Sequence, residues 1–201
     1  CATYNDIESA KAQFADSANN IAAVLVELVQ GEGGINIADT EYLLQLQQLC
    51  HDNDALFMLD EIQTGNGRCG SYFAYQQLGL DPDVVTTAKG LGNGVPIGAC
   101  LAKGAAAKTL VPGTHGSTFG GNPLATASAL AVIETIETKH LGERVTQLGA
   151  TMKSAFESAL ADNPAVVEIR GCGLMLGIQL DRPCAQLVSD ALDNGLLINV
   201  T

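Results

Sequence analysis

Short apolar runs alternate with polar, turn-forming stretches along the first half of the chain, which predicts alternating strands and helices. Asp39 is placed to cap a helix over residues 40–52, and a shorter helix is predicted over 71–78. The apolar runs predicted as strands are 21–28, 55–60, 83–88 and 97–102, and the first two of them are expected to be buried. This alternation is typical of an α/β fold with a mostly parallel sheet and right-handed crossovers.

After the glycine-rich stretch at 115–122, longer helical patterns replace the short alternating runs. An Ala-rich helix is predicted over 123–139 and an amphipathic helix over 141–160, which the following Asn-Pro pair ends. Two paired strands, a helix and a last strand are then expected at 166–170, 174–180, 183–192 and 195–201. We therefore expect residues 1–141 to be the later part of a large domain and 142–201 the beginning of a small α+β domain.

Composition and charge narrow the classes of function. The 201 residues carry a formal net charge of −12, which repels nucleic-acid phosphates and anionic membrane surfaces. No apolar run approaches the roughly 20 residues of a membrane helix, and no signal peptide is visible, so a cytoplasmic protein is expected. The six cysteines form no C-x-x-C pair and the three histidines are far apart, which indicates reduced thiols and no metal site.

Two charged side chains fall at the predicted carboxyl ends of buried strands, where ligands bind in open parallel sheets. Asp60 is either a partner for a cationic group of a ligand, or a helix cap or structural ion pair. Lys89 precedes the sequence GLGNG, whose glycines let the backbone approach a bulky group. We expect this lysine to be partly desolvated, which favours a nucleophilic amine, and an exposed strand-end lysine is the alternative.

Three further features of the sequence bear on ligand binding. The first argues against a nucleotide site, and the other two each allow two interpretations. The sequence GLGNG does not match the glycine loops that bind nucleotides. The segment HGSTFGGNP, which contains Ser117, precedes a predicted helix, where hydroxyl and backbone N–H groups suit a phosphate or form an ordinary capped turn. Glu32 lies in the glycine-rich loop of VELVQGEGG and either meets a substrate amine or is a solvated carboxylate.

Four segments are specific when they are taken in order, although each is weak alone: VELVQGEGG, LDEIQTGNGRCG, TTAKGLGNGVPIG and HGSTFGGNP. Together they resemble the class III (subgroup II) aminotransferases. Asp60 precedes Lys89 by the same interval as Lys89 precedes Thr118, which matches that family. The resemblance extends to IRGCGLMLGIQL and LLINV, and it implies a fold-type I transferase that uses pyridoxal 5'-phosphate.

By this resemblance, four residues would serve the cofactor. Lys89 would form the imine with pyridoxal phosphate and then move the proton between substrate and cofactor carbons. Asp60 would pair with the pyridine nitrogen, Gln63 would hydrogen-bond the ring hydroxyl, and Thr118 would bind the phosphate, usually in the neighbouring subunit. On the substrate side the resemblance points to Glu32, as the partner of a substrate-recognising arginine, and to Ser117.

The chain departs from the family pattern at two positions. Leu28 stands where members often have proline, and Cys172 stands where a basic residue is usual. The family's phosphate loop and stacking aromatic residue would precede Cys1, and the arginine for the substrate's carboxylate would follow Thr201. We therefore expect about half of a member, and a 201-residue chain that is inactive alone.

The implied reaction moves an amino group from an acylated ornithine, N-acetylornithine, or a related ω-amino acid to 2-oxoglutarate, as in arginine biosynthesis. Ornithine, 4-aminobutyrate or succinyl-diaminopimelate transamination would use the same residues, and an aminomutase or decarboxylase is a further alternative. The resemblance also implies a homodimer in the full-length form. A non-catalytic interaction or structural protein built on this fold is the alternative from another class.

Overall fold

A computed structural model describes residues 1–16 and 18–201. Sixteen helical and strand elements follow one another, of which three are short 3-10 helices. The others are α1 (Ile7–Ala15), β1 (Ala23–Glu27), β2 (Val29–Gln30), β3 (Asn36–Ile37), α2 (Thr40–Asp52), β4 (Leu56–Asp60), β5 (Val84–Thr87), β6 (Ala99–Ala102), α3 (Pro123–Thr138), α4 (Leu141–Leu160), β7 (Val166–Cys172), β8 (Met175–Leu180) and α5 (Gln186–Asp193).

The main sheet has four strands in the order β1-β4-β5-β6. The first two pairings are parallel, with Glu27 beside Asp60 and Asp60 beside Thr86. The mostly parallel sheet predicted from the sequence is therefore confirmed. The fourth predicted strand is present as β6, which runs antiparallel to β5 and is exposed along its length.

Helix α2 covers the sheet because its apolar positions lie on one side. Asp39 caps it as predicted, since its carboxylate accepts hydrogen bonds from the backbone N–H groups of Glu41 and Tyr42. Leu43, Leu46 and Cys50 of this helix are buried. Phe57 and Leu59 of β4 belong to the same buried cluster. This packing fixes the end of β4, where Asp60 lies.

Several elements differ from the sequence prediction. The predicted helix over 71–78 is a single 3-10 turn, Ala74–Gln77. Helix α1 and the small antiparallel pair β2–β3 were not predicted, because each is short and has no clear periodicity. Strand β1 is an edge strand, and Leu25 keeps 58% of its surface exposed, so the prediction of full burial is wrong for it.

The last third of the chain contains two long helices and a separate hairpin. Helix α4 spans the predicted residues, and α3 begins at Pro123 behind an Asn122 cap. Strands β7 and β8 pair antiparallel, as predicted, and α4 packs against them. Residues 196–201 form no strand, because no neighbouring strand in the described chain pairs with them. The domain boundary near 142 stays a prediction.

None of the helices in residues 1–16 and 18–201 is both long enough and apolar enough to cross a membrane.

Candidate active site

Asp60 lies at the carboxyl end of β4, in the middle of the parallel part of the sheet. Its Oδ1 accepts hydrogen bonds from the backbone N–H of Ile62 at 3.0 Å and from the Thr86 hydroxyl at 3.3 Å. Within the described residues, Oδ2 accepts none and no cation pairs with the carboxylate. One oxygen therefore fixes the turn after β4, while the other is available to a ligand.

Lys89 follows the neighbouring strand β5, so it lies at the same edge of the sheet as Asp60, as predicted. Its backbone is left-handed, with φ of 44°, which is costly for a residue with a Cβ. The expectation that Lys89 is partly desolvated is wrong for this chain. The side chain is exposed, because the chain turns away from the buried strand at Ala88.

Asn66 holds the end of β5 in place, a role that was not predicted from the sequence. Its side-chain amide donates to the Thr87 hydroxyl at 2.9 Å and to the Ala88 carbonyl at 3.1 Å. The Tyr72 hydroxyl in turn donates to the Asn66 side-chain oxygen at 3.2 Å. These bonds fix the backbone immediately before Lys89, and the one signal in the sequence was the Asn66–Gly67 pair that follows Asp60.

Gln63 and Glu32 are joined directly. The Gln63 amide donates to the Glu32 carboxylate at 3.1 Å, so the loop after β2 contacts the turn after β4. Gly31 makes this approach possible, because a Cβ at that position would overlap the Gln63 side chain. The Gly31 N–H donates to the Glu27 carboxylate at 3.2 Å, which anchors the other side of the loop.

Arg170 of β7 supports the same glycine-rich loop from outside the main sheet. Its guanidinium donates to the carbonyls of Gly34, at 2.7 and 3.1 Å, and Ile35, at 3.1 Å. A further bond and ion pair at 2.7 Å to Glu168 holds the group in position. The sequence analysis did not identify Arg170, because its partners lie far away along the chain.

Glu61, next to Asp60, is fully buried and plays a structural part. Its carboxylate accepts hydrogen bonds from the Thr64 hydroxyl at 2.6 Å and from the backbone N–H groups of Ala74, at 3.0 Å, and Tyr75, at 2.8 Å. It therefore holds the 3-10 turn against the end of β4. Burial raises the pKa of this carboxyl above its usual range, against the opposing effect of these hydrogen bonds.

Ser117 and Thr118 are not brought to Asp60 and Lys89. Both are exposed in the loop before α3. Helix α3 nevertheless contacts the glycine stretch after Lys89, since the Ser128 hydroxyl donates to the Gly92 carbonyl at 2.8 Å. The loop is thus tied to the site region through its helix, while its hydroxyls face outward.

A cavity of about 290 Å³ opens beside Lys89. Gln63, Asn66, Arg68 and Lys89 are its polar lining residues, and apolar residues such as Ile136 of α3 and Val145 of α4 line it as well. The cavity thus joins the ends of β4 and β5 with an amide, a guanidinium and a primary amine. Such a set of groups suits a polar ligand with negative charge.

Comparison with protein families agrees with this geometry. The model of the "Aminotransferase class-III" family matches residues 2–201. Acetylornithine aminotransferase 1 of Bordetella pertussis is 50% identical over 198 residues, which cover 98% of this chain and 50% of that protein. Acetylornithine aminotransferase of Bacillus subtilis is 45% identical over 97% of the chain. The chain spans about half the length of these curated relatives.

Solved structures share the fold. The acetylornithine aminotransferase of Elizabethkingia anophelis superposes with a TM-score of 0.91 at 36% identity, over 98% of this chain and 51% of that one. The ornithine aminotransferase of Toxoplasma gondii, whose active site holds PLP at partial occupancy, also gives 0.91 at 36% identity, over 98% and 47%.

Proposed function

The chain belongs to the class-III aminotransferases, and from this premise we propose that the protein containing it moves an amino group from N-acetylornithine to 2-oxoglutarate. The observation that carries the proposal is the position of Asp60 at the end of β4 and of Lys89 just after the neighbouring parallel strand β5, at one edge of the sheet. The two named curated relatives, at 50% and 45% identity, support N-acetylornithine as the amino donor. Related ω-amino acids would use the same groups.

The groups at this edge fit pyridoxal 5'-phosphate. When bound, this cofactor withdraws electrons from the substrate carbon that loses its proton. Asp60 is placed to accept a hydrogen bond from a protonated ring nitrogen, because its Oδ2 has no other partner in the described residues. Its negative charge favours the protonated nitrogen. Gln63 is placed to donate to a ring oxygen with the amide hydrogen that Glu32 does not use.

Lys89 is assigned the covalent attachment of the cofactor and the transfer of the proton. Its amine makes no ion pair within the described residues, so its nitrogen is free to react and to accept a proton from the substrate carbon. The hydrogen bonds of Asn66 fix the backbone before it. A positioned amine of this kind contributes on the order of 10²–10⁴ in rate as a general acid and base.

The remaining site residues are assigned by similarity. Thr118 is proposed to bind the cofactor phosphate of a second subunit, and Ser117 and Glu32 to contact substrate. The exposure of Ser117 and Thr118 supports this assignment, since such hydroxyls are accessible to a partner. We therefore propose a homodimer with shared sites.

The proposal is tested by trapping the cofactor. The intact protein that contains this sequence is loaded with pyridoxal phosphate, reduced with borohydride and mapped by peptide mass spectrometry. We expect the pyridoxyl group on Lys89, and a label on Lys103 or Lys108 would contradict the assignment. The variant Lys89→Ala should lose turnover with N-acetylornithine and 2-oxoglutarate, while Lys108→Ala, which alters an exposed lysine outside the site, should keep it. Faster turnover with ornithine would reassign the substrate.

A further inference from the structure

Two cysteines that are far apart in the sequence meet beside the candidate site. Cys69 follows the loop that lines the Lys89 cavity, and Cys172 ends β7. The Cys172 thiol donates a hydrogen bond to the Cys69 carbonyl oxygen, with 3.7 Å between sulfur and oxygen. The other four cysteines of the described chain are Cys1, Cys50, Cys100 and Cys184.

The backbones on both sides of this pair are held in close contact. The Leu174 N–H donates to the Arg68 carbonyl at 3.0 Å. Gly173 has a left-handed backbone, and a Cβ added there would lie 2.8 Å from the Cys69 Cα, so only glycine allows this approach. The backbone segments that carry the two cysteines are therefore held together by the fold.

The two thiols differ in accessibility and acidity. Cys69 is 3% exposed, whereas Cys172 is half-buried. The contact with the Cys69 thiol lowers the pKa of Cys172, and the same contact together with burial raises the pKa of Cys69. Cys172 is thus suited to react first and Cys69 to react second.

We propose that Cys69 and Cys172 are a redox-active pair that forms a reversible disulfide with a low-molecular-weight disulfide as the oxidant. The Cys172 thiolate attacks one sulfur of the oxidant, a mixed disulfide forms and one small thiolate leaves. Cys69 then loses its proton, attacks the Cys172 sulfur and releases the second small thiol. Two protein thiols are oxidised to one disulfide, and one small disulfide is reduced to two thiols.

The bond would tie the loop after Gln63 to the hairpin β7–β8. Arg68, next to Cys69, lines the Lys89 cavity, so the bond fixes one wall of the candidate site. Because class III members usually have a basic residue at the position of Cys172, this pair is a feature of the present sequence and not of the family pattern. The proposal does not depend on the substrate of the enzyme.

The test uses the intact protein, folded and fully reduced, and then incubated with glutathione disulfide. Free thiols are blocked, the protein is digested without reductant, and the peptides are analysed by mass spectrometry. We expect a single cross-linked peptide pair that contains Cys69 and Cys172 and that disappears on treatment with a dithiol. The Cys100→Ser variant, which removes an exposed and unpaired thiol, should form the same cross-link.

The rates of reaction give an independent readout. With limiting iodoacetamide at neutral pH, Cys172 should be alkylated several-fold faster than Cys100, although Cys100 is more exposed. The Cys172→Ser variant should leave Cys69 reduced under the same oxidation. A glutathione adduct that persists on Cys172 while Cys69 stays free, or an equal rate for Cys172 and Cys100, would overturn the proposal.

Discussion

At the scale of single residues, a substitution of Asp60 should affect catalysis and cofactor binding to different degrees. In Asp60→Asn the shape and the hydrogen bonds of the turn are kept, but the negative charge beside the ring nitrogen is lost. We expect turnover to fall on the order of 10²–10³-fold, since preorganised electrostatic groups contribute that much to catalysis. Retention of pyridoxal phosphate, followed by absorbance after dialysis, should change far less.

The control for this variant is Asp54→Asn, at an exposed position after α2 where the left-handed backbone suits asparagine. It should leave both turnover and cofactor content unchanged. Near-normal turnover in Asp60→Asn would refute the role of the carboxylate.

Glu61 gives the stability of the protein a dependence on pH. Burial raises the pKa of this carboxyl from its ordinary value of 4.5, so the folded state holds the proton more tightly than the unfolded chain. The contribution of the group to stability is complete below its ordinary pKa and is lost as the pH rises through the raised pKa. In Glu61→Gln this dependence is removed.

Urea unfolding of both proteins between about pH 4 and pH 8 tests this expectation. The free energy of unfolding of the original protein should fall, relative to Glu61→Gln, as the pH increases. The exposed control Glu134→Gln should run parallel to the original. Parallel curves for Glu61→Gln as well would show that the carboxyl is not perturbed by burial.

At this scale the sequence was most informative where a charged side chain lies at the end of a predicted strand. The placement of Asp60 and Lys89 at one edge follows from parallel pairing and was predicted correctly. The exposure of Lys89 was not predicted correctly. It depends on a left-handed backbone and on a turn at Ala88, which no periodicity in the sequence reveals. The bond between Gln63 and Glu32 depends on two loops meeting in space, which a sequence pattern does not describe.

At the scale of elements, Arg170 connects the hairpin β7–β8 to the loop that carries Glu32. Arg170→Lys keeps the charge, but a single ammonium group cannot reproduce the planar set of donors to Gly34 and Ile35. We expect a loss of about 1–3 kcal/mol in the local contact between loop and hairpin. Hydrogen exchange of residues 31–36 should become faster.

The matched control is Arg182→Lys, since that guanidinium is exposed and pairs with the adjacent Asp181. Exchange in residues 31–36 should not respond to it. If Arg170→Lys left the exchange of the loop unchanged as well, the supporting role of Arg170 would be excluded.

Elements with strong periodicity or clear caps were predicted well. Helices α2, α3 and α4 and strands β4 and β5 lie close to the predicted residues, because Asp39, Pro123 and the amphipathic pattern define their ends. Short elements were missed or shortened, since α1, β2 and β3 are held by tertiary contacts. One such contact is the Tyr4 hydroxyl, which donates to the carbonyl of Asn36 in β3 at 3.4 Å.

At the scale of the whole molecule, the proposed homodimer and the length of the relatives lead to one expectation. The intact protein should scatter light with the mass of at least two subunits and should be active with N-acetylornithine and 2-oxoglutarate. The 201-residue chain alone should show no transamination. It should also self-associate, because large apolar side chains such as Leu25, Leu101 and Leu124 are exposed.

The same two measurements, light scattering and the activity assay, decide this expectation. A monomeric and active 201-residue chain would contradict both the shared site and the need for further sequence. The fold class was predicted from the sequence at this scale, because alternating strands and helices permit few topologies. The exposure of one side of β1 was not predicted from the sequence, since this exposure depends on which elements are present to cover the strand.

The pairing of the strands also bears on how quickly the chain can fold. Ala23 pairs with Leu56 and Met58 with Val84, so β1, β4 and β5 meet only after long stretches of chain have been brought together. Cys172 pairs with Met175 across a tight turn. Because contacts between distant residues form slowly, the hairpin should appear early in refolding and the parallel sheet late. Asp60 and Lys89 come into register only with the sheet, so the competence to bind a cofactor arises among the last events of folding.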